Sequence, residues 1–393
     1  MDLAAIQSAL KASGVGGWLF CDHHRRDQMA YHILGLGQHA MATRRWFYFI
    51  PAEGEPVKLA HKVEPRSLDA LPGRKELYLA WTELHAKLRS IVGPVKTIAM
   101  QYSPDNNIPY IGLVDAGTIE LIRSFGPKIV TSADLVQRFE ATYGEEGLKS
   151  HTWAGERVQR IKNETFAAMK KALDTGSKVN EFELKEQIVR RFAEEGLTCE
   201  GESPIVGFND HPADPHFEPT QEIAYTLKKG DTILLDLWAR RIEPVGVYYD
   251  ITWCAFAGDA PPAKYVEIFK VARDARDAAV AFVGEKLDAG TPVHGYEIDD
   301  VCRKVVIDGG YGDQFLHRTG HSIGTEVHGN GANIDNLETK DERLIVPGTC
   351  FSVEPGIYLA GSMAVRTEVD VYVTPAGKAT VVGDVQRDLV LLG

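Results

Sequence analysis

Residues 365–373 read Val365-Arg366-Thr367-Glu368-Val369-Asp370-Val371-Tyr372-Val373. Alternate residues of a strand share a face, so one face of this run is apolar and the other carries Arg366, Glu368, Asp370 and Tyr372. Three more runs set an acid among core residues. Ile233-Leu234-Leu235-Asp236-Leu237-Trp238 holds one carboxylate, and Val247-Tyr248-Tyr249-Asp250-Ile251-Thr252-Trp253 holds another. In Cys350-Phe351-Ser352-Val353-Glu354, Phe351 and Val353 face one way and Glu354 the other. A buried carboxylate is costly unless a cation or a metal accompanies it. A single such acid is best read as a strand end that meets water or a backbone N–H. Four together, with few bases nearby, point to a metal.

Outward from these runs, strands are expected at 232–238, 247–256, 349–354 and 365–373, and helices near 262–287 and 297–308. Upstream, a helical pattern runs through Val158, Ile161, Met169 and Leu173 and stops at Gly176. Asn180 caps the next helix, with Glu183 three residues on as its capping-box partner, and Gly196 stops it. Helices clustered apart from strands that read as antiparallel make an α+β pattern. Tyr143 to Lys149, with two glycines and two glutamates, reads as a hinge. Before it, residues 1–148 read as an α/β domain. Leu3, Ile6 and Leu10 share a helix face, Gly17–Phe20 and Trp46–Ile50 are buried strands, and β-like runs follow at 77–81 and 95–100. His23 and His24 form a pair on a loop, with no metal-ligand spacing around them.

The chain has 393 residues, enough for two domains, with 44% hydrophobic and 25% charged residues as in a soluble globular protein. Asp plus Glu is 55 against 43 for Lys plus Arg, a net charge of −12, which argues against nucleic acid as the main partner. No apolar run reaches bilayer length and the first residues lack the pattern of a secretory signal, so no membrane partner is expected. Cys21, Cys199, Cys254, Cys302 and Cys350 are dispersed with no CxxC pair, which suggests reduced thiols and a cytoplasmic protein.

Histidines concentrate in His317-Arg318-Thr319-Gly320-His321-Ser322-Ile323-Gly324-Thr325-Glu326-Val327-His328, where glycines allow close backbone approach. His211 and His216 lie in a proline-rich loop and gain weight only from the rest of the set. With these residues in view, the chain resembles the pita-bread-fold metallopeptidases, which include prolidase (Xaa-Pro dipeptidase), aminopeptidase P and methionine aminopeptidase. HRTGHSIGTEVH, SVEPGIY and VRTEVDVYVT carry the resemblance, and it covers nearly the whole chain. Residues 1–148 are more weakly similar to the creatinase/prolidase N-terminal domain, and 149–393 to the pita-bread catalytic domain. The N-terminal similarity favours prolidase or aminopeptidase P.

The resemblance implies two divalent metal ions on five ligands. Asp236 would hold one metal, Asp250 and Glu368 would bridge both, and His321 and Glu354 would hold the other. It implies catalytic roles for His328 and His216, a proton-shuttling role for Glu354, a site-lining role for His317 and a carboxylate-anchoring role for Arg366. The implied reaction is attack on an Xaa-Pro bond by a hydroxide held between the metals. Four carboxylates and one imidazole suit Mn²⁺ and admit Co²⁺, while raw affinity favours Zn²⁺. Related enzymes are commonly dimers, so a homodimer acting on small Xaa-Pro peptides is expected.

The chain departs from the family pattern at four places. Asp236 and Asp250 stand 14 positions apart, farther than is usual, and Trp238, Val247 and Gly329 replace the commoner residues. The extra residues between the two acids are expected to overhang the substrate channel. Arg240 and Arg241 would then meet a dipeptide's free carboxylate by paired hydrogen bonds and favour Xaa-Pro over Xaa-Pro-Yaa. Three competing readings are an aminopeptidase P trimming longer peptides, a creatinase-like C–N hydrolase that needs no metal, and a peptide-binding module without activity. The intact ligand set argues against the last two.

Overall fold

The computed structural model describes residues 1–37 and 42–393, which divide into two units, Met1–Glu140 and Ala141–Gly393. The boundary expected after residue 148 falls inside a helix that starts at Glu145, and most of the expected hinge is the opening of that helix.

The first unit is a mixed sheet of six strands between helices. Its strands are β1 (Gly17–Asp22), β2 (Trp46–Pro51), β3 (Val57–His61), β4 (Arg74–Tyr78), β5 (Thr97–Met100) and β6 (Lys128–Thr131), in the order β4-β3-β2-β1-β5-β6. Its helices are α1 (Leu3–Ala12), α2 (Gln28–Leu34), α3 (Trp81–Val92), α4 (Ala116–Ser124) and α5 (Ala133–Glu140). Trp18, Phe20, Trp46, Tyr48 and Ile50 join one core with residues of α1, α2 and α5. Leu19, Phe47 and Phe49 join a second core with residues of α3 and α4. A strand covered on both faces needs apolar residues at every position, which is why these runs are continuous rather than alternating. The β-like run at 77–81 is corrected in part. Its strand ends at Tyr78, and Trp81 opens α3.

The second unit begins with α6 (Glu145–Thr175), which ends on Gly176 in the left-handed region at φ 69°. Then comes α7 (Glu181–Glu194), whose Asn180–Glu183 capping box forms as expected. Next are β7 (Leu197–Thr198), β8 (Ile205–Phe208), β9 (Thr232–Arg241), β10 (Tyr249–Phe256), α8 (Ala263–Asp288) and α9 (Gly295–Asp308). The chain finishes with β11 (Ser322–Ile323), β12 (Cys350–Val353), β13 (Gly356–Leu359), β14 (Met363–Arg366), β15 (Val369–Val373), β16 (Ala379–Val381) and β17 (Val390–Leu391).

One sheet runs β17-β10-β9-β7 with β8 also on β9. A second runs β11-β12-β15-β16, and β13 and β14 form a hairpin. Ile233, Leu235, Leu237 and Ala239 of β9, with Tyr249, Ile251 and Ala255 of β10, pack among residues of α6 and α7. By alternation Asp236, Trp238, Asp250 and Thr252 occupy the opposite face. Pairing in β9–β10 sets Asp236 opposite Thr252 and Trp238 opposite Asp250. The run 365–373 is two strands rather than one. β14 ends at Arg366, paired with β13, and β15 begins at Val369, paired with β12 and β16. Thr367 and Glu368 occupy the crossing between them.

Candidate metal centre

Asp250, His321 and Glu368 are buried, and each offers a ligand atom within 4.8 Å of the others'. The Nε2 of His321 lies 3.4 Å from Glu354 Oε1 and 3.8 Å from Asp250 Oδ2. Asp236 borders the group and pairs with Arg366. Asp236 Oδ1, Asp250 Oδ1 and Glu368 Oε1 are buried without a hydrogen-bond partner. Burial raises Asp236 to about 6. Burial and then the neighbouring carboxylates carry Asp250 and Glu368 well above the usual carboxylate range. These acids cannot all ionise at neutral pH unaccompanied, so the cluster is a receptacle for positive charge. Burial lowers His321 to about 3, which leaves its imidazole neutral, the form that binds a cation. Its Nδ1 donates to Ser322 O at 3.2 Å, so Nε2 is the nitrogen turned to the acids. The donor set fits divalent metal.

The scaffold fixes each group. Asp250 N–H donates to Asp370 Oδ2 at 2.7 Å, one layer behind the cluster. Arg366 Nε donates to Thr252 Oγ1 at 3.0 Å, and that hydroxyl donates to Glu368 Oε2 at 2.7 Å. Glu354 follows β12 directly. Its N–H donates to Thr319 O at 2.8 Å and its Oε1 accepts from Ser352 Oγ at 3.1 Å. The histidine loop is bound to α9. Asp299 accepts Thr319 N–H at 3.0 Å and Thr319 Oγ1–H at 2.6 Å, and Arg303 donates to His317 O at 2.8 Å. A Cβ at Gly320 would meet Ser352 O at 1.9 Å, so only glycine lets this loop approach β12, as the sequence suggested.

The cluster opens into a cavity of about 440 Å³. His216 and His328 stand on its wall, and the ring of His328 is 4.4 Å from that of His321. His328 is held below the ordinary imidazole range, first by His321 and then by burial. His317 also lines the cavity. Its Nδ1 donates to Arg318 O at 2.7 Å and its Nε2 accepts from Tyr358 OH at 2.7 Å. His211 lies apart, stacked on Tyr225 and bound to Glu181, a structural role in the loop that carries His216.

Three expectations change. Arg240 and Arg241 do not line the cavity. β9 continues through both of them by pairing with β7, so they are strand residues and not an overhanging loop. Arg240 is buried and pairs with Glu200, while Arg241 Nε donates to Pro244 O at 3.1 Å. Arg366 lines the cavity, but its nitrogens face Thr252, Tyr358 and Asp236, which makes it a partner of the acids. Sequence reasoning missed Thr252, Tyr358 and Arg318. Thr252 had a signal, two positions after Asp250 on the same strand face. Arg318 stood inside the histidine stretch. Tyr358 had none, because a hairpin brings it back.

The profile of metallopeptidase family M24 matches residues 154–375. The chain is 30% identical over 216 residues to the Xaa-Pro dipeptidase of Lactobacillus delbrueckii subsp. lactis, covering 55% of this chain and 52% of that protein. It spans about half the length of the curated relatives it matches. A dipeptidase structure from Mycobacterium ulcerans superposes with a TM-score of 0.69 at 23% identity, covering 99% of this chain and 96% of that one. A dipeptidase from Pyrococcus horikoshii OT3 gives 0.62 at 25% identity, with 100% of both chains covered.

Proposed function

The chain belongs to metallopeptidase family M24, and from that premise we propose that it hydrolyses the Xaa-Pro bond of dipeptides with two divalent metal ions. Asp236 would hold one ion, His321 and Glu354 the other, and Asp250 and Glu368 both. The observation that carries this reading is the set of unpartnered buried oxygens on Asp236, Asp250 and Glu368. Buried acid oxygens left without donors from their own chain await a cation. Four carboxylates with one imidazole favour Mn²⁺ over softer ions.

When bound, the metal ions lower the pKa of water and polarise the scissile carbonyl. The chain's own groups do the rest. His328 and His216, on the cavity wall, donate hydrogen bonds to the oxygen on which charge develops. Glu354 takes the proton from the attacking water and passes it to the leaving nitrogen. That transfer is required because an amide nitrogen, prolyl or other, leaves as an amine only once it is protonated. Ile205, Trp238, Leu316 and Val327 supply apolar wall for the proline ring. The catalytic role is assigned to the second unit, Ala141–Gly393, and the working unit to a homodimer. The Xaa-Pro preference is supported by the name of the Lactobacillus relative.

The test is bound metal measured together with hydrolysis of Xaa-Pro and Xaa-Pro-Yaa. Chelation is expected to abolish hydrolysis and Mn²⁺ or Co²⁺ to restore it, with the dipeptide the better substrate. Full activity in metal-free protein would sink the metal reading, and faster cleavage of the tripeptide would make the chain an aminopeptidase P.

A further inference from the structure

The first unit holds a cavity of its own, about 50 Å³, beyond the carboxyl end of β1. β1 and β5 run parallel, side by side. The chain leaves β1 for α2, which packs on one face of the sheet, and after β5 it reaches α4 on the other face. Neighbouring parallel strands whose connections part in this way leave a crevice outside their carboxyl ends, where open α/β sheets take ligands. Asp22 ends β1, Asp27 caps α2 and Asp115 caps α4, and all three line the cavity.

One of these acids is unfinished. Asp22 accepts from three backbone N–H groups and Tyr31 OH. Asp115 accepts Thr118 N–H at 2.9 Å and Thr118 Oγ1–H at 2.7 Å. Asp27 is 2% exposed, and while its Oδ1 accepts Ala30 N–H at 2.9 Å, its Oδ2 has no partner. Opposite charge stands on the same wall. Arg26 and Arg45 are exposed there, and neither guanidinium makes an ion pair or hydrogen bond among the described residues. Phe47 and Leu113 add apolar surface. The volume takes about four water-sized groups, close to an ammonium and a carboxylate carried on one carbon. A lone anion would lie against the acids and a lone cation against the guanidiniums, whereas a ligand with both charges satisfies both.

We propose that this crevice binds the head group of a free α-amino acid, its carboxylate on Arg26 and Arg45 and its ammonium on Asp27 Oδ2. A guanidinium holds a carboxylate through parallel charge-assisted hydrogen bonds. The ammonium supplies the donor that the chain does not give Asp27. The site is independent of the reaction proposed for the second unit.

Calorimetry with L-alanine on the full-length protein tests it. Burial raises Asp27 to about 7, so a mildly alkaline buffer holds it ionised. The background is Asp250→Ala, which disables the metal centre and removes product binding there as a source of heat. L-alanine is expected to bind this protein saturably. Propionate and ethylamine, each lacking one of the two charges, should bind more weakly on the order of 10-fold or more. Arg26→Met, Arg45→Met and Asp27→Asn, which keeps the cap, should each weaken L-alanine on the order of 10-fold. Absence of L-alanine binding overturns the proposal, as does unchanged affinity in Asp27→Asn or in both arginine variants. Propionate that binds as tightly as L-alanine would make the crevice an anion site and overturns it equally.

Discussion

Buried acids occur in both units, and they are treated in opposite ways. In the first unit Asp22 is 6% exposed, and its two oxygens accept from Arg25 N–H, Arg26 N–H, Asp27 N–H and Tyr31 OH. In the second unit Asp250 is 4% exposed and one of its oxygens accepts nothing. Burial alone therefore says little about function. What separates a structural carboxylate from one held ready for a cation is whether the chain supplies its donors. Asp299 makes the same point inside the second unit. It is fully buried and saturated by Arg303, Thr319 and Asn336, and it holds the histidine loop rather than an ion.

The largest expected effect tests that contrast directly. Asp250→Ala or Glu368→Ala is expected to lose bound metal and all measurable hydrolysis while leaving the metal-free protein little changed in stability, since each removes a buried acid one of whose oxygens has no donor. Asp22→Ala should do the reverse. It strands three N–H groups and a hydroxyl and destabilises by roughly 3 kcal/mol, with metal content unchanged. Metal analysis beside urea melts decides it, and a stable Asp22→Ala would break the comparison.

His328→Ala comes next. As a donor to the transition state rather than a ligand, its loss should lower kcat on the order of 10²-fold with bound metal near normal. Loss of metal in step with activity would move His328 into the ligand set.

The smallest effect concerns Asp27, the acid in the first unit that breaks the pattern. Its Oδ1 accepts Ala30 N–H at 2.9 Å, but Oδ2 is buried without a partner. Burial raises it from an ordinary 3.8 to about 7. A raised acid holds its proton in the folded state, so its stabilisation is complete below pH 3.8 and is lost as pH rises through about 7. Asp27→Asn keeps the cap and should flatten the dependence of Tm on pH between those values. An unchanged slope would remove Asp27 as its source.

Much of this was legible in the sequence because burial leaves a period. Continuous apolar runs marked the two-sided sheet of the first unit, and acids interrupting core runs marked the metal centre. The capping box at Asn180 and the stop at Gly176 are local chemistry and were readable as such. What failed was whatever depends on a distant partner. The extent of β9 is decided by pairing with β7, some forty residues upstream, so Arg240 and Arg241 looked like loop residues. The break between β14 and β15 is invisible to alternation, because Glu368 keeps its phase across a change of sheet. The commitment of Arg366 to Asp236 could not be read from either strand alone.

The bonds that close the metal centre join residues far apart along the chain: Arg366 to Asp236 across 130 positions, Asp250 to Asp370 across 120, and Thr252 to Glu368 across 116. Loop-closure entropy has to be overcome before any of them forms. No nascent chain that stops short of Glu368 contains the whole receptacle, so an ion would have no complete place to settle until that residue has been made. A cation that binds there would act as a lock rather than a template. Such a lock would slow escape from the native state and leave the speed of reaching it unchanged.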